Sequence, residues 1–220
     1  MAWLARRASA TAASAITVSG AVSIGSGSTF NGGSFSHLVA GDWSVAGTFT
    51  PSTSTITFDG AAGQTLGAST FNNLTIADAL DVTMSGDVTV NGTLTVSSGH
   101  LVTSSSTVTL GSSGTLSESA GATVSGTLAT TRNVTAISGT ESFGGVGATI
   151  TLHGTAPGST QVTRVTGSAA SGNGHSSILR RFTIVPTVNA GLLADLTITY
   201  DGGELNGQTG SALELYKSTE

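Results

Sequence analysis

Between Asp81 and Val96 the chain reads DVTMSGDVTVNGTLTV, in which Val82 and Met84, Val88 and Val90, and Leu94 and Val96 each stand two apart, set off by Ser-Gly and Asn-Gly. A period of two sends alternate side chains to opposite faces of an extended strand, and Gly after Ser or Asn makes the tight turn that ends it. AITVSGAVSI (15 to 24), STVTL (106 to 110) and ADLTITY (194 to 200) repeat the pattern. Apart from a weak pattern over residues 2 to 15, no helical spacing is sustained over three turns. Strands this short bury an apolar face only by stacking on others, so the chain is all-β: a solenoid, a barrel or a sandwich.

Recurring turns point to the solenoid. ITVSGAVSI from Ile16 matches VTMSGDVTV from Val82 at an offset of 66, NGTL at 91 to 94 recurs as SGTL at 113 to 116, 22 residues on, and AGTF at 46 to 49 precedes NGTL by 45. Each offset is near a multiple of 22, about the length of three short strands and three turns at roughly 3.3 Å per residue. One coil of a parallel β-helix uses that much chain. A further SGTL at 125 to 128 falls only 12 residues after the previous copy, so the period is uneven.

Near Asn133 the texture changes. Arg132, Arg164, Arg180, Arg181 and Lys217 enter, with Glu141, Glu204 and Glu214, and five longer apolar runs follow: GATITLHG, TQVTRVTG, SILRRFTIVPT, ADLTITYD and ALELYKS. Their spacing predicts an antiparallel β-sandwich. The expected organisation is therefore an N-terminal cap or non-native start over residues 1 to 15, a β-solenoid over 16 to 133, and a β-sandwich over 134 to 220 with an incomplete last sheet.

Charge narrows the function. Residues 8 to 131 contain no Lys or Arg, while Asp42, Asp59, Asp78, Asp81, Asp87 and Glu118 lie among them. Phosphate binding needs clustered cations, so nucleic acid and anionic membrane surfaces are not expected partners. With 9% charged residues, Ser, Thr, Gly and Asn must cover most of the surface. The absence of cysteine excludes disulfides and thiol chemistry. The start, MAWLARRASATAASA, carries Arg6 and Arg7 but no apolar core of a signal peptide, so the export signal is expected upstream, or Met1 is not the native start. No apolar run is long enough to span a bilayer as a helix.

Residues 43 to 76, WSVAGTFTPSTSTITFDGAAGQTLGASTFNNLTI, followed by LDVTMSGDVTVNGTLTVSSGHL, resemble the repeats of large bacterial surface proteins exported by type IX secretion systems. The matching elements are Trp43, Gly47 to Pro51, Thr55 to Gly60 with Gln64 and Thr65, Phe71 to Ile76, and Gly86 to Thr95. The later APGSTQVTRVTGSAASGNGHSSILRRFTIVPT, YDGGELNG and LYKS are similar to the β-sandwich module that follows such repeats. The resemblance spans about residues 40 to 220 and implies architecture and an extracellular, cell-surface location, not a reaction.

Catalytic signatures are weak. Asp78 and Asp81 stand three apart in a turn, where structural capping is the simpler reading. His37, His100, His153 and His175 lack metal-ligand spacing. GGVGAT at 144 to 149 lacks the third Gly of a dinucleotide loop and no helix follows, so its glycines read as turn residues. Asp201 and Glu204 in YDGGELNG are the one conceivable calcium pair. Thr-x-Thr occurs at 48/50, 55/57, 93/95 and 107/109, a pattern that binds ice when it stacks on a flat solenoid face, but the starts step unevenly by 7, 38 and 14, and Thr is common in strands for its β-propensity.

The expected role is a non-enzymatic structural or adhesin-like spacer that presents surface, with no cofactor, whose partners are neighbouring domains of the same polypeptide, surface glycans or other cell-surface proteins. The alternative is carbohydrate binding, with Trp43, Phe49 or Tyr200 stacked on sugar rings; a polysaccharide-degrading β-helix enzyme comes third. Within residues 55 to 76, Ile56, Phe58, Leu74 and Ile76 are expected to point inward, with residues 59 to 63 and Asn72, Asn73 making turns.

Overall fold

The computed structural model describes residues 3–5, 8–172 and 175–215, and is all-β, with 51% strand. A β-solenoid of about six turns makes up its larger part. Each coil supplies up to three short strands, which pair in parallel with their counterparts in the next coil. The first face runs through Trp3–Ala5, Val22–Ile24, Trp43–Val45, Gln64–Leu66 and Val82–Met84 into the early halves of His100–Leu110 and Thr123–Val134. The second holds Ser9–Thr11, Thr29–Asn31 and Thr48–Thr50 in one ladder, and Ser69–Phe71, Val88–Val90 and the later halves of the two long strands in another. The third is one continuous ladder of Thr17–Val18, Ser36–Val39, Thr55–Phe58, Asn73–Ile76, Thr93–Val96 and Thr115–Glu118.

Coil length is not fixed at 22. Partnered residues are 18 apart from Thr55 to Asn73, 19 from Ser36 to Thr55, 22 from Thr93 to Thr115 and 23 from Leu101 to Val124. The strands keep register while the corners absorb the difference. NGTL and SGTL at offset 22 are true equivalents, with Leu94 beside Leu116. The offset of 66 is not: Thr17–Val18 lies on the third face and Val82–Met84 on the first. Gly47 likewise precedes a second-face strand, and Gly92 a third-face one. A Gly-Thr-apolar phrase thus marks entry into a strand at any corner, because Gly lets the chain pass close to the coil below. A Cβ on Gly92 would stand 2.4 Å from the Asn73 side-chain oxygen.

Apolar columns fill the interior. On the third face Val39, Phe58, Ile76 and Val96 stack in register, and His37, Ile56, Leu74 and Leu94 form the column beside them. Ile56, Phe58, Leu74 and Ile76 are buried as expected, contributing of the order of 1.5–3 kcal/mol each. In the early coils the filling is aromatic: Trp43 lies edge-on to Phe49 at 4.9 Å between centroids, and Phe49 stacks on Phe30 and packs against Phe71.

Thr123–Val134 is shared by two kinds of pairing. It pairs in parallel with His100–Leu110 on one side and antiparallel with Gly158–Thr166 on the other, and Arg180–Pro186 extends that sheet. A separate antiparallel sheet joins Gly139–Glu141, Ala148–Leu152 and Ala194–Ile198. The change of texture near Asn133 therefore marks the end of a common strand and not a linker. Within residues 1 to 15, Trp3–Ala5 and Ser9–Thr11 pair onto the solenoid in parallel with Val22–Ile24 and Thr29–Asn31. Arg6, Arg7 and the end of LYKST lie outside the described residues. The run about Leu213 is not a strand, since Thr209 leads into a 3-10 turn at Gly210–Ala212.

Candidate functional site

Four of the solenoid aspartates are engaged with backbone amides. Asp42, Asp81 and Asp87 stand at corners, and each accepts a hydrogen bond from an amide one coil later: Thr65 at 2.7 Å, His100 at 3.0 Å and Thr107 at 2.8 Å. The device locks coil to coil, because a carboxylate at one corner satisfies a backbone amide of the next coil. Asp78 uses Oδ1 on the Leu80 amide at 2.8 Å, while its Oδ2 is buried with no protein partner. Asp78 and Asp81 thus serve two different amides and do not converge on a common point. His37 is a core residue: Ile16 N–H donates to Nδ1 and Nε2 donates to the Gly32 carbonyl, which fixes the neutral tautomer.

The expected sugar platform is divided by burial. Trp43 is 2% exposed and donates its indole N–H to Ser69 Oγ at 2.9 Å, so its faces are spent on Phe49, Phe58 and Phe71. Phe49 packs against the same core. Tyr200, 39% exposed, alone keeps an open ring, because it lies past the end of the last antiparallel strand. The structure does not bring the three together on one surface.

Asp201 and Glu204 form a capping box around a 3-10 turn. Asp201 Oδ1 accepts from Gly203 N–H, and Glu204 Oε2 from Asp201 N–H. The other oxygen of Glu204, Oε1, accepts from Arg180 at 2.6 Å. With these oxygens committed to the protein's own donors, the pair is a structural cap. Among the described residues no group of three or more acids or histidines could hold a metal ion.

A charge cluster absent from the sequence reading closes the solenoid. Glu118 lies in register with Val96 and so continues the column of Val39, Phe58, Ile76 and Val96. Arg164, fully buried, grips it through bonds of 2.6 and 2.8 Å, and Thr123 Oγ1 and Val124 N–H each donate to Oε1 at 2.7 Å. Burial pushes the Glu118 carboxyl up, but Arg164 and the other donors outweigh it and hold the group below its ordinary value. Arg180 stands 3.9 Å from the same carboxylate and passes the network on to Glu204. Beside it, buried Phe143 plugs the core, and Gly144 accepts a hydrogen bond from the Leu116 amide, the edge of the last coil. The glycines of GGVGAT belong to this plug. Gly144 has φ +73°, and a Cβ on it would meet the Gly114 carbonyl at 2.4 Å.

Outside, the third face carries two columns of short polar side chains, interrupted by Leu38 at the start of one. One is Ser36, Thr55, Asn73, Thr93 and Thr115; the other is Leu38, Thr57, Thr75, Thr95 and Ser117. The uneven sequence steps hid this array. The 38 residues from Thr55 to Thr93 are two coils of 18 and 20, and the coil between them carries Asn73-x-Thr75. The pairs at 48 and 107 belong to the second face. Compared with known proteins, the chain matches no family model, and no curated protein or solved structure is significantly similar to it.

Proposed function

We propose that this chain is a non-enzymatic structural segment of a bacterial cell-surface protein, a stiff spacer that presents its outer faces. The observation that carries this reading is the unbroken third-face ladder from Thr17–Val18 to Thr115–Glu118 over an interior of apolar columns, ending at a plug. Each coil added to such a ladder lengthens it by about 4.8 Å. A neutral polar exterior disfavours charge-driven sticking. The extracellular location rests on the resemblance of residues 40 to 220 to exported surface repeats, and the two antiparallel sheets beyond Thr123–Val134 are read as the sandwich module that accompanies them. The partners in this reading are neighbouring domains and cell-surface components; nucleic acid and membrane insertion have no part in it.

Two measurements test it. Antibodies raised against the chain should label intact cells of the source organism, and labelling only after permeabilisation overturns the surface location. On a glycan array and with neutral and acidic polysaccharides, neither retention nor new reducing ends is expected. Retention lost on Tyr200→Ala would replace the spacer with sugar recognition, for which that exposed ring is the observation in favour.

A further inference from the structure

We infer that the third face is an ice-binding surface. The ladder puts five coils in register, with outward positions two residues apart on each strand. Neighbouring positions are then about 4.8 Å apart across the strands and about 6.6 Å apart along them, over a patch of roughly 19 by 7 Å. Nine of its ten outward positions are contiguous Thr, Ser or Asn: Ser36, Thr55, Thr57, Asn73, Thr75, Thr93, Thr95, Thr115 and Ser117, with Leu38 the exception at one corner. None of the ten is charged or aromatic.

A rectangular net of that size lies close to the oxygen repeats on prism faces of ice, with the along-strand spacing shorter than the ice repeat by about a tenth. Each Thr hydroxyl can hydrogen-bond one lattice water, and each methyl orders the first-shell water between the columns. Hydrogen bonds within the face hold parts of the net in place: Thr93 Oγ1 lies 3.1 Å from Thr115 Oγ1, and the Asn73 amide donates to Thr55 Oγ1 at 3.3 Å. A ladder held in register by backbone pairing from coil to coil retains the repeat without the ordering cost that a mobile surface would incur.

The other faces offer less: the early ladder of the second carries a smaller net of Ser9, Thr29 and Thr48 beside Thr11, Asn31 and Thr50, three coils deep where the third face has five. On the first, the outward column Thr65, Thr83 passes to Val102, with Asp81 at the strand entry. On the second, Thr70, Thr89 and Thr109 end at Ala129, and the neighbouring column starts at Asp87. A carboxylate carries a hydration shell that does not fit a neutral lattice. A crystalline polysaccharide would also repeat, but sugar rings are recognised by aromatic faces, which these ten positions lack.

The test is capture of the folded protein into a slowly growing ice surface, together with the gap between its melting and freezing points. Thr75→Lys, at the centre of the face, and Ser117→Lys, on its exposed last strand, are compared with Thr89→Lys on the second face, each checked for folding by circular dichroism. Wild type and Thr89→Lys should enter the ice and open a concentration-dependent gap; Thr75→Lys and Ser117→Lys should lose both. Exclusion of wild type from ice overturns the proposal, as does equal loss in Thr89→Lys, or unchanged capture in a folded third-face variant. Binding to crystalline chitin or cellulose that depends on Thr75, without ice capture, also overturns it and assigns the face to a polysaccharide lattice. Each of these results leaves the surface-labelling test of the spacer role unaffected.

Discussion

Arg164 holds Glu118 by two hydrogen bonds of 2.6 and 2.8 Å where the inward column of Val39, Phe58, Ile76 and Val96 ends. A column of stacked apolar side chains has no natural stop, and its last member exposes a hydrophobic surface and a row of free strand groups. Here the stop is ionic, made by a carboxylate from the solenoid and a guanidinium from the antiparallel sheet. Removing one partner leaves the other charge buried. Arg164→Met should therefore cost about 3–5 kcal/mol, while Glu118→Met with Arg164→Met should recover much of that loss. Urea midpoints of the two variants check this, and a double variant no more stable than Arg164→Met would mean that the pair is not what couples the two parts.

The same pair makes stability depend on acid. Glu118 has a carboxyl held below its ordinary value near 4.5 in the fold, so it binds its proton more weakly folded than unfolded. Its stabilisation is fully present above the unfolded value and is lost as pH falls toward the folded one. Between about pH 6 and about pH 3 wild type should lose more stability than Glu118→Gln, which is weaker at neutral pH and flatter below it. Parallel curves would contradict the assignment.

Phe58 and Asp59 adjoin in sequence but differ in environment. Phe58 is fully buried between Val39 and Ile76, so Phe58→Asp should prevent folding and Phe58→Ala should cost about 3–5 kcal/mol. Asp59, exposed in a corner, should tolerate Ala within about 0.5 kcal/mol. Thermal melting of the two Ala variants compares them directly.

How far the sequence led varies by feature. Alternation at Val82, Met84, Val88 and Val90 is a local signal, and it specified strands and their inward faces correctly. Coil spacing is a longer-range property: corners of variable length shift the repeat between 18 and 23 residues, so similar strings such as those at Ile16 and Val82 occupy different faces. The hydroxyl net was missed because Asn73 and Ser117 stand where a search for Thr-x-Thr requires Thr. The Glu118–Arg164 pair joins residues 46 apart across a change from parallel to antiparallel pairing, which no motif encodes. The alternative of a sugar platform at Trp43, Phe49 or Tyr200 rests on aromatic content, which says nothing about which way a ring points; the register of Trp43 with Val22 and Leu66 turns it inward.

Close approach of successive coils gives the last prediction. A Cβ on Gly41 would stand 2.4 Å from the Gly20 carbonyl carbon and 2.5 Å from the Ala21 nitrogen. These are backbone atoms of the preceding coil, which cannot move aside without breaking the ladder between Val22–Ile24 and Trp43–Val45. At Gly202, in the capped 3-10 turn, a Cβ meets nothing within 4 Å. Gly41→Ala should then cost about 1–3 kcal/mol or more through overpacking. Gly202→Ala should be nearly neutral, or slightly stabilising through the lower entropy of the unfolded chain. Because neither residue has the left-handed backbone that favours glycine, the comparison isolates space from conformation. Equal melting temperatures for the two variants would show that the coils are less tightly apposed than the register requires.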